Sequence, residues 1–167
     1  MTVSVTDIMQ LIDMKAMTWT SYCDPHVLKL ANIEKPSIKP DQITINVKKA
    51  TVTAGDCELR SFSIAKWVWL PLRLYMGVFK PRIKVLGQEY AGVVPAVGDQ
   101  VDHFKVNDQI FASGGISMGG YSEFAVLNAN KPIGFIPQGV SFDEAATIPT
   151  GGINALHFLR MAKIRNG

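Results

Sequence analysis

The polar pair Gln88-Glu89 interrupts an otherwise apolar, glycine-containing stretch, Val85-Leu-Gly-Gln-Glu-Tyr-Ala-Gly-Val-Val94. A carboxylate in such surroundings is either a hydrogen-bonded structural group or a proton carrier whose affinity burial has altered, and the structural group is the commoner of the two. Asp56 and Arg60 stand four residues apart. That spacing joins opposite charges on a helix, so a structural ion pair is expected there rather than acid–base chemistry. His103 and His157 are isolated in sequence, which fits surface or packed histidines, and neither is given a catalytic role. Cys23 and Cys57 show no C-x-x-C spacing and no histidine-rich context. Two unpaired, reduced thiols are expected, with no disulfide framework and no zinc finger.

The elements that would position these residues follow from patterning. Gln42-Ile-Thr-Ile-Asn-Val-Lys48 alternates strictly, placing Ile43, Ile45 and Val47 on one face of a half-buried strand. Further strands are predicted at Ala91–Val97, Asp108–Ala112 and Tyr121–Leu127, separated by turns such as Val97-Gly98-Asp99 and Gly114-Gly115. The region to about Pro137 therefore reads as all-β and closed or barrel-like. Ser141-Phe-Asp-Glu144 fits a capping box and starts a helix, which Pro149 and Gly151-Gly152 are expected to interrupt. Beyond them Ile153, Ala155, Leu156, Leu159 and Ala162 keep helical spacing, Arg160, Lys163 and Arg165 suit a helix C-terminus, and Gly167 is a natural stop. Residues 1–13 read as an extension whose Ile8, Met9, Leu11 and Ile12 share a helical face after a Thr6 or Asp7 cap. The expected organisation is an extension at 1–13, a main domain at 14–140 and a helical connection at 141–167.

Composition narrows the function classes. A chain of 167 residues is near the size of one domain. Its net charge of +3, from 17 basic and 14 acidic side chains, is no electrostatic footprint of a nucleic-acid binder. The first 13 residues carry Asp7 and Asp13 but no basic residue and no apolar signal core, so a cytoplasmic location is expected. Trp67 to Phe79 is apolar but interrupted by Pro71 and Arg73, and it falls short of the ~20 residues that span a bilayer. No membrane span is expected.

Several short patterns line up in order: Met14-Lys-Ala-Met17, Thr51-Val-Thr-Ala-Gly-Asp56 with Arg60, Gly87-Gln-Glu-Tyr-Ala-Gly-Val-Val94, Val97-Gly98, Phe104-Lys-Val-Asn-Asp108, Gly119-Gly-Tyr-Ser-Glu-Phe-Ala-Val126 and Ala145-Ala-Thr-Ile-Pro149. From Met14 to Gly167 the chain resembles the medium-chain dehydrogenase/reductase superfamily, in its zinc-independent, quinone-oxidoreductase-like branch. The resemblance implies a mainly β fold with α: a GroES-like distorted barrel with flanking helices, normally followed by a Rossmann domain that binds NADP(H) or NAD(H). The chain reaches Ala162–Gly167 where relatives enter the first Rossmann strand, and it holds no glycine turn after a strand to cradle a diphosphate. The expectation is a catalytic half whose Rossmann domain is absent from this chain, inactive by itself.

The same resemblance assigns the site. Zinc members place Cys at the position of Thr53 and His at that of Gln88, so no zinc and no other metal is expected. Thr53 and Gln88 become cleft-lining candidates for catalysis, and Thr53 and Asn154 become candidates for cofactor contact, each able to give one hydrogen bond. For Thr53 an ordinary strand-end role stays open, and for Asn154 a turn or helix cap. Trp67, Trp69, Tyr75 and Phe79 lie where the family has a variable loop beside the substrate cleft. They would line a lipophilic pocket, lie on a membrane surface, or be covered by the Rossmann domain or a second subunit. The implied function is NADPH-dependent, zinc-independent reduction of a quinone, enone or related carbonyl compound by hydride transfer, with NADPH on the full-length protein and none on this chain. A homodimer is possible within this reading. The alternative is a freestanding GroES-like module for binding or self-association, without enzymatic activity.

Overall fold

Residues 13–163 are described in a computed structural model. The helical face expected around Ile8–Ile12, and Arg165 and Gly167, lie outside the described residues. Strand β1 (Asp13–Thr18) pairs antiparallel with β2 (Lys29–Glu34). The larger sheet contains β3 (Gln42–Ala50), β4 (Glu89–Val97), β5 (Gln109–Ser113), β6 (Phe124–Asn128) and β7 (Ile133–Phe135) in the order β6-β3-β4-β5-β7. Two helices, α1 (Ala54–Ser61) and α2 (Lys66–Met76), lie between β3 and β4. Near the end come α3 (Phe142–Ala146) and α4 (Ile148–Met161).

The expected closed, all-β region is corrected on two counts. Helices α1 and α2 stand inside it, and the strands form no closed barrel, because β7 pairs only with β5, while β1 touches the loop before β6 through a single bridge, Ala16 to Ser122. The mixed sheet-and-helix architecture is otherwise that of a GroES-like fold. Alternation on β3 places Ile43 and Ile45 in the core with no exposure, each burial worth about 2 kcal/mol. Thr44 is buried too, contrary to strict alternation. Its strand is interior, between β4 and β6, and its pairing with β4 shifts register between Thr44 and Asn46, a local bend that breaks the two-residue period.

The sheet has cover on both faces. Ile43, Ile45, Tyr90, Val94, Ile110 and Leu127 belong to one buried cluster. Ala145 and Ala146 of α3 pack on Ala91, and small side chains there let the helix approach β4 closely. A second body of core, Trp19, Phe62, Met76, Leu86 and Met118, sits under α2.

The Trp67–Phe79 segment is not the expected loop but a helix followed by a short turn. Pro71 inside α2 removes one backbone bond, to the carbonyl of Trp67. Packing compensates: Met76 is fully buried, Leu72 joins the same cluster, and the Arg73 guanidinium stacks 3.7 Å from the Tyr22 ring centroid. Arg73 also donates to the Val78 carbonyl at 2.9 Å, beyond the C-terminal end of the helix. The expected break at Gly151-Gly152 is absent as well. Pro149 falls in the first turn of α4, where its missing N–H is harmless, and both glycines continue as helix. Among the described residues no helix is long and apolar enough to cross a membrane.

The Ser141 capping box forms as expected, with Ser141 receiving the Glu144 N–H and donating its own N–H and hydroxyl to the Glu144 carboxylate. Those bonds hold the Glu144 carboxyl below its ordinary range. A carboxyl depressed on folding stabilises fully above its unfolded value, and that contribution vanishes as pH falls through the folded one. Urea unfolding of Glu144→Gln should therefore differ most from the parent chain at neutral pH and converge with it in acid; a gap that widens in acid would contradict the cap.

Candidate functional site

The corner at Gly87–Glu89 is built by two buried carboxylates. Asp56, 2% exposed, and Glu89, 4% exposed, are the buried charged side chains among the described residues. Asp56 is the third residue of α1, and Thr53 is its N-cap. The Asp56 carboxylate accepts the Thr53 N–H at 3.0 Å and the Thr53 hydroxyl at 2.7 Å, while the Thr53 oxygen accepts the Asp56 N–H at 3.2 Å. Its other oxygen accepts the Gly87 N–H at 3.3 Å. The helix start is thereby tied to the chain entering β4. The expected Asp56–Arg60 ion pair does not form, because the aspartate faces these donors and Arg60 reaches instead to the Cys23 carbonyl.

Gly87 has φ +99°, and a Cβ there would stand 2.7 Å from the Tyr121 nitrogen. Only glycine fits that turn. Gly120 and Tyr121 donate their N–H groups to the Gly87 and Leu86 carbonyls, both at 3.0 Å, which fastens the segment from the other side.

Glu89 satisfies the far end. It accepts the Thr51 hydroxyl at 2.7 Å and the Thr150 N–H at 2.6 Å. Thr150 lies in the first turn of α4, whose own N-cap residue, Thr147, bonds the Glu144 carbonyl and leaves that turn uncapped. A carboxylate from the sheet thus caps a helix remote in sequence, where the N-terminal dipole favours negative charge. Sequence patterning points to a structural hydrogen-bonded Glu89, and this is the role the geometry gives it.

Between the two carboxylates, the Gln88 carbonyl accepts the Gly114 N–H at 2.7 Å. Its half-buried carboxamide lies over Gly55, where an added Cβ would be 3.3 Å from Nε2 and 3.6 Å from the Thr53 hydroxyl oxygen. Thr53 and Gln88 are thus brought together, as neighbours of one glycine. Thr53 has its hydroxyl committed to the capping box, so the Gln88 carboxamide is the polar side chain left to meet a ligand. Asn154 is exposed on α4, one turn beyond Thr150 and on the same helix face. Of the expected pocket residues, Trp69 packs edge-on against Phe62, whereas Trp67, Tyr75 and Phe79 are largely exposed.

Tyr121 is a member of the corner that sequence reading left without a role. Its hydroxyl donates to the Thr51 carbonyl at 3.2 Å, and burial, reinforced by the Asp56 charge, raises its phenol far above the ordinary value. The signal for it was the Gly119-Gly-Tyr121 turn. Tyr121 also borders a shallow depression of about 530 Å³ walled by Met17, Leu28, Leu30, Val47 and Val52.

The donor set does not fit zinc. Thr53 and Gln88 are poor ligands, Asp56 and Glu89 hold protein donors with both oxygens, and among the described residues no three His, Cys, Asp or Glu side chains group to hold a metal. Cys23 and Cys57 are free and exposed, as expected. His103 is an exposed side chain bonded to Asp102 and the Ala129 carbonyl, which raises its pKa, and His157 is exposed on α4.

Residues 39–150 match the alcohol dehydrogenase GroES-like domain. A quinone oxidoreductase from Pseudomonas aeruginosa is 39% identical over 155 residues, covering 92% of this chain and 43% of that protein. A 2-methylene-furan-3-one reductase from Solanum lycopersicum is 29% identical over 163 residues, covering 93% of this chain and 39% of that one. The Escherichia coli quinone oxidoreductase solved with NADPH superposes with a TM-score of 0.72 at 24% identity, over 89% of this chain and 41% of that chain. The chain therefore spans less than half the length of these relatives.

Replacing Glu89 separates charge from hydrogen bonding. Glu89→Gln keeps an acceptor for the Thr150 N–H and offers its amide to the Thr51 oxygen, so it should retain most stability in urea unfolding. Glu89→Ala strands two donors and should lose about 3 kcal/mol. Equal losses for both would contradict the capping role.

Proposed function

The chain belongs to the medium-chain dehydrogenase/reductase superfamily, in its quinone-oxidoreductase-like branch, and on that premise we propose that it supplies the catalytic part of an NADPH-dependent, zinc-independent oxidoreductase acting on quinones, enones or related conjugated carbonyls. The observation that carries this reading is the Gln88 corner: a half-buried carboxamide on a backbone fixed at both neighbours stands where zinc members place a ligand histidine, beside a threonine already engaged in capping. NADPH, when bound, supplies the hydride. Gln88 and Asn154 carry the side-chain amides that fit its nicotinamide carboxamide and ribose, while Thr53, its hydroxyl proton given to Asp56, keeps only a lone pair to offer them. Residues 13–163 hold no strand that leads through a G-x-G-x-x-G turn into a helix, the form that cradles a diphosphate, and on this reading that cradle is supplied from outside them.

Without a metal, the barrier must fall through positioning and through stabilising the oxygen that gains charge as hydride adds to the conjugated carbon. The Gln88 Nε2–H is the donor suited to that oxygen. Asp56 and Glu89 anchor the backbone on either side of Gln88, which limits the reorganisation needed during reaction. Tyr121, held protonated and donating to the Thr51 carbonyl, brings no charge to the same corner that would repel an enolate. Support for the substrate class comes from the quinone oxidoreductase of P. aeruginosa and from the tomato reductase, whose named substrate carries a methylene conjugated to a ketone. NADPH is supported by the E. coli relative in fold.

The test is a spectrophotometric assay of NADPH oxidation by the protein expressed from its own gene, with 1,4-benzoquinone or an enone as acceptor. Turnover should survive a chelator, and Gln88→Ala should lower kcat about tenfold, the value of one hydrogen bond made at the developing charge. Loss of activity to the chelator with recovery on zinc would overturn the metal-free chemistry. Absence of turnover with every such acceptor would favour the binding-module alternative.

A further inference from the structure

Helix α2 is apolar on two opposite faces. Leu72 and Met76 enter the core with Trp19, Phe62 and Leu86. Trp67, Leu70, Leu74 and Tyr75, spaced at i, i+3, i+7 and i+8, make a second stripe that is 84%, 60%, 56% and 56% exposed, and Phe79 beyond the helix is 90% exposed. A continuous surface of this kind on a folded domain marks a contact surface.

Charge identifies the contact. Every charged residue between Leu59 and Gln88 is basic: Arg60, Lys66, Arg73, Lys80, Arg82 and Lys84. The whole chain carries only +3, so its positive charge is concentrated around this stripe. Lys66, Lys80, Arg82 and Lys84 are exposed, and the ion pairs among the described residues, Lys49–Asp143 and His103–Asp102, involve none of them. Arg73 has a different task, stacked on Tyr22 and bonded to Val78. A helix with Trp, Tyr and Leu on one face and unpaired cations at its ends has the composition that settles into the headgroup boundary of an anionic bilayer, rings among the acyl carbons and cations on the phosphates. A second copy of the same face would bring like charges together, which opposes self-pairing.

We propose that α2 and the Val78–Lys84 segment form a docking surface for an anionic lipid bilayer, with the helix lying in the plane of the interface. The eleven-residue helix is roughly 16 Å long, which suits an in-plane seat and not a crossing. The inference uses no residue of the Gln88 corner and stands apart from the reductase reading.

The test is co-sedimentation, with tryptophan emission, of the full chain on vesicles of phosphatidylcholine alone and of phosphatidylcholine with phosphatidylserine. The expected result is a blue shift and partition onto the mixed vesicles, at least about tenfold weaker on neutral ones and reversed by salt. Lys66→Gln/Lys80→Gln/Arg82→Gln should cut partition roughly a hundredfold, about fivefold per cation, with an unchanged circular dichroism spectrum. Trp67→Ser/Leu70→Ser should abolish the blue shift. Should the triple variant misfold, the salt dependence of the unaltered chain decides by itself. Equal partition on both vesicle types, or none on either, overturns the proposal. So does a dimer that Trp67→Ser/Leu70→Ser dissociates in the absence of vesicle binding, which assigns the stripe to a second copy.

Discussion

Two carboxylates taken out of water hold this structure at its point of greatest consequence. Burying such groups is tolerable only when protein donors replace the lost hydration. Asp56 does so with the Thr53 N–H and hydroxyl and the Gly87 N–H, and Glu89 with the Thr51 hydroxyl and the Thr150 N–H. Each requirement binds segments distant in sequence. Asp56 fixes where α1 begins relative to β4, and Glu89 fixes where α4 begins relative to the same strand.

The residue between these anchors inherits its position from them. Gln88 has its carbonyl fixed by Gly114 and its carboxamide laid over Gly55, a glycine whose lack of a side chain leaves room for it. The glycine turn at Gly87 closes against Gly120 and Tyr121 through backbone bonds, which fasten the corner from that side. The same arrangement explains why Thr53, placed by resemblance at a ligand position, serves first as a cap. Its hydroxyl is the donor that Asp56 needs.

Legibility in the sequence divided along the range of the interactions. The Ser141–Glu144 box was readable because both partners lie within one turn, and the β3 strand because Ile43, Ile45 and Val47 state their period over seven residues. The resemblance carried the fold and the neighbourhood of Thr53 and Gln88. Helix α2 was hidden for a physical reason: apolar residues occupy both faces, and Pro71 within it reads as an interruption. Gly151-Gly152 misled because local propensity is weak beside a cap supplied from β4. The Glu89–Thr150 bond spans 61 positions, and the Asp56–Gly87 bond spans 31. No local pattern announces such partners, and the four-residue Asp56–Arg60 spacing suggested a nearer one.

The central claim, that the buried carboxylates keep the Gly87–Glu89 corner closed, is tested most directly by native-state amide hydrogen exchange resolved at single residues. The amides of Thr53, Gly87 and Thr150 should exchange as slowly as those of Ile45 and Val94 in the sheet interior, opening only with global unfolding. Exchange of these three amides at the rate of exposed loops, while the sheet stays protected, would contradict the account.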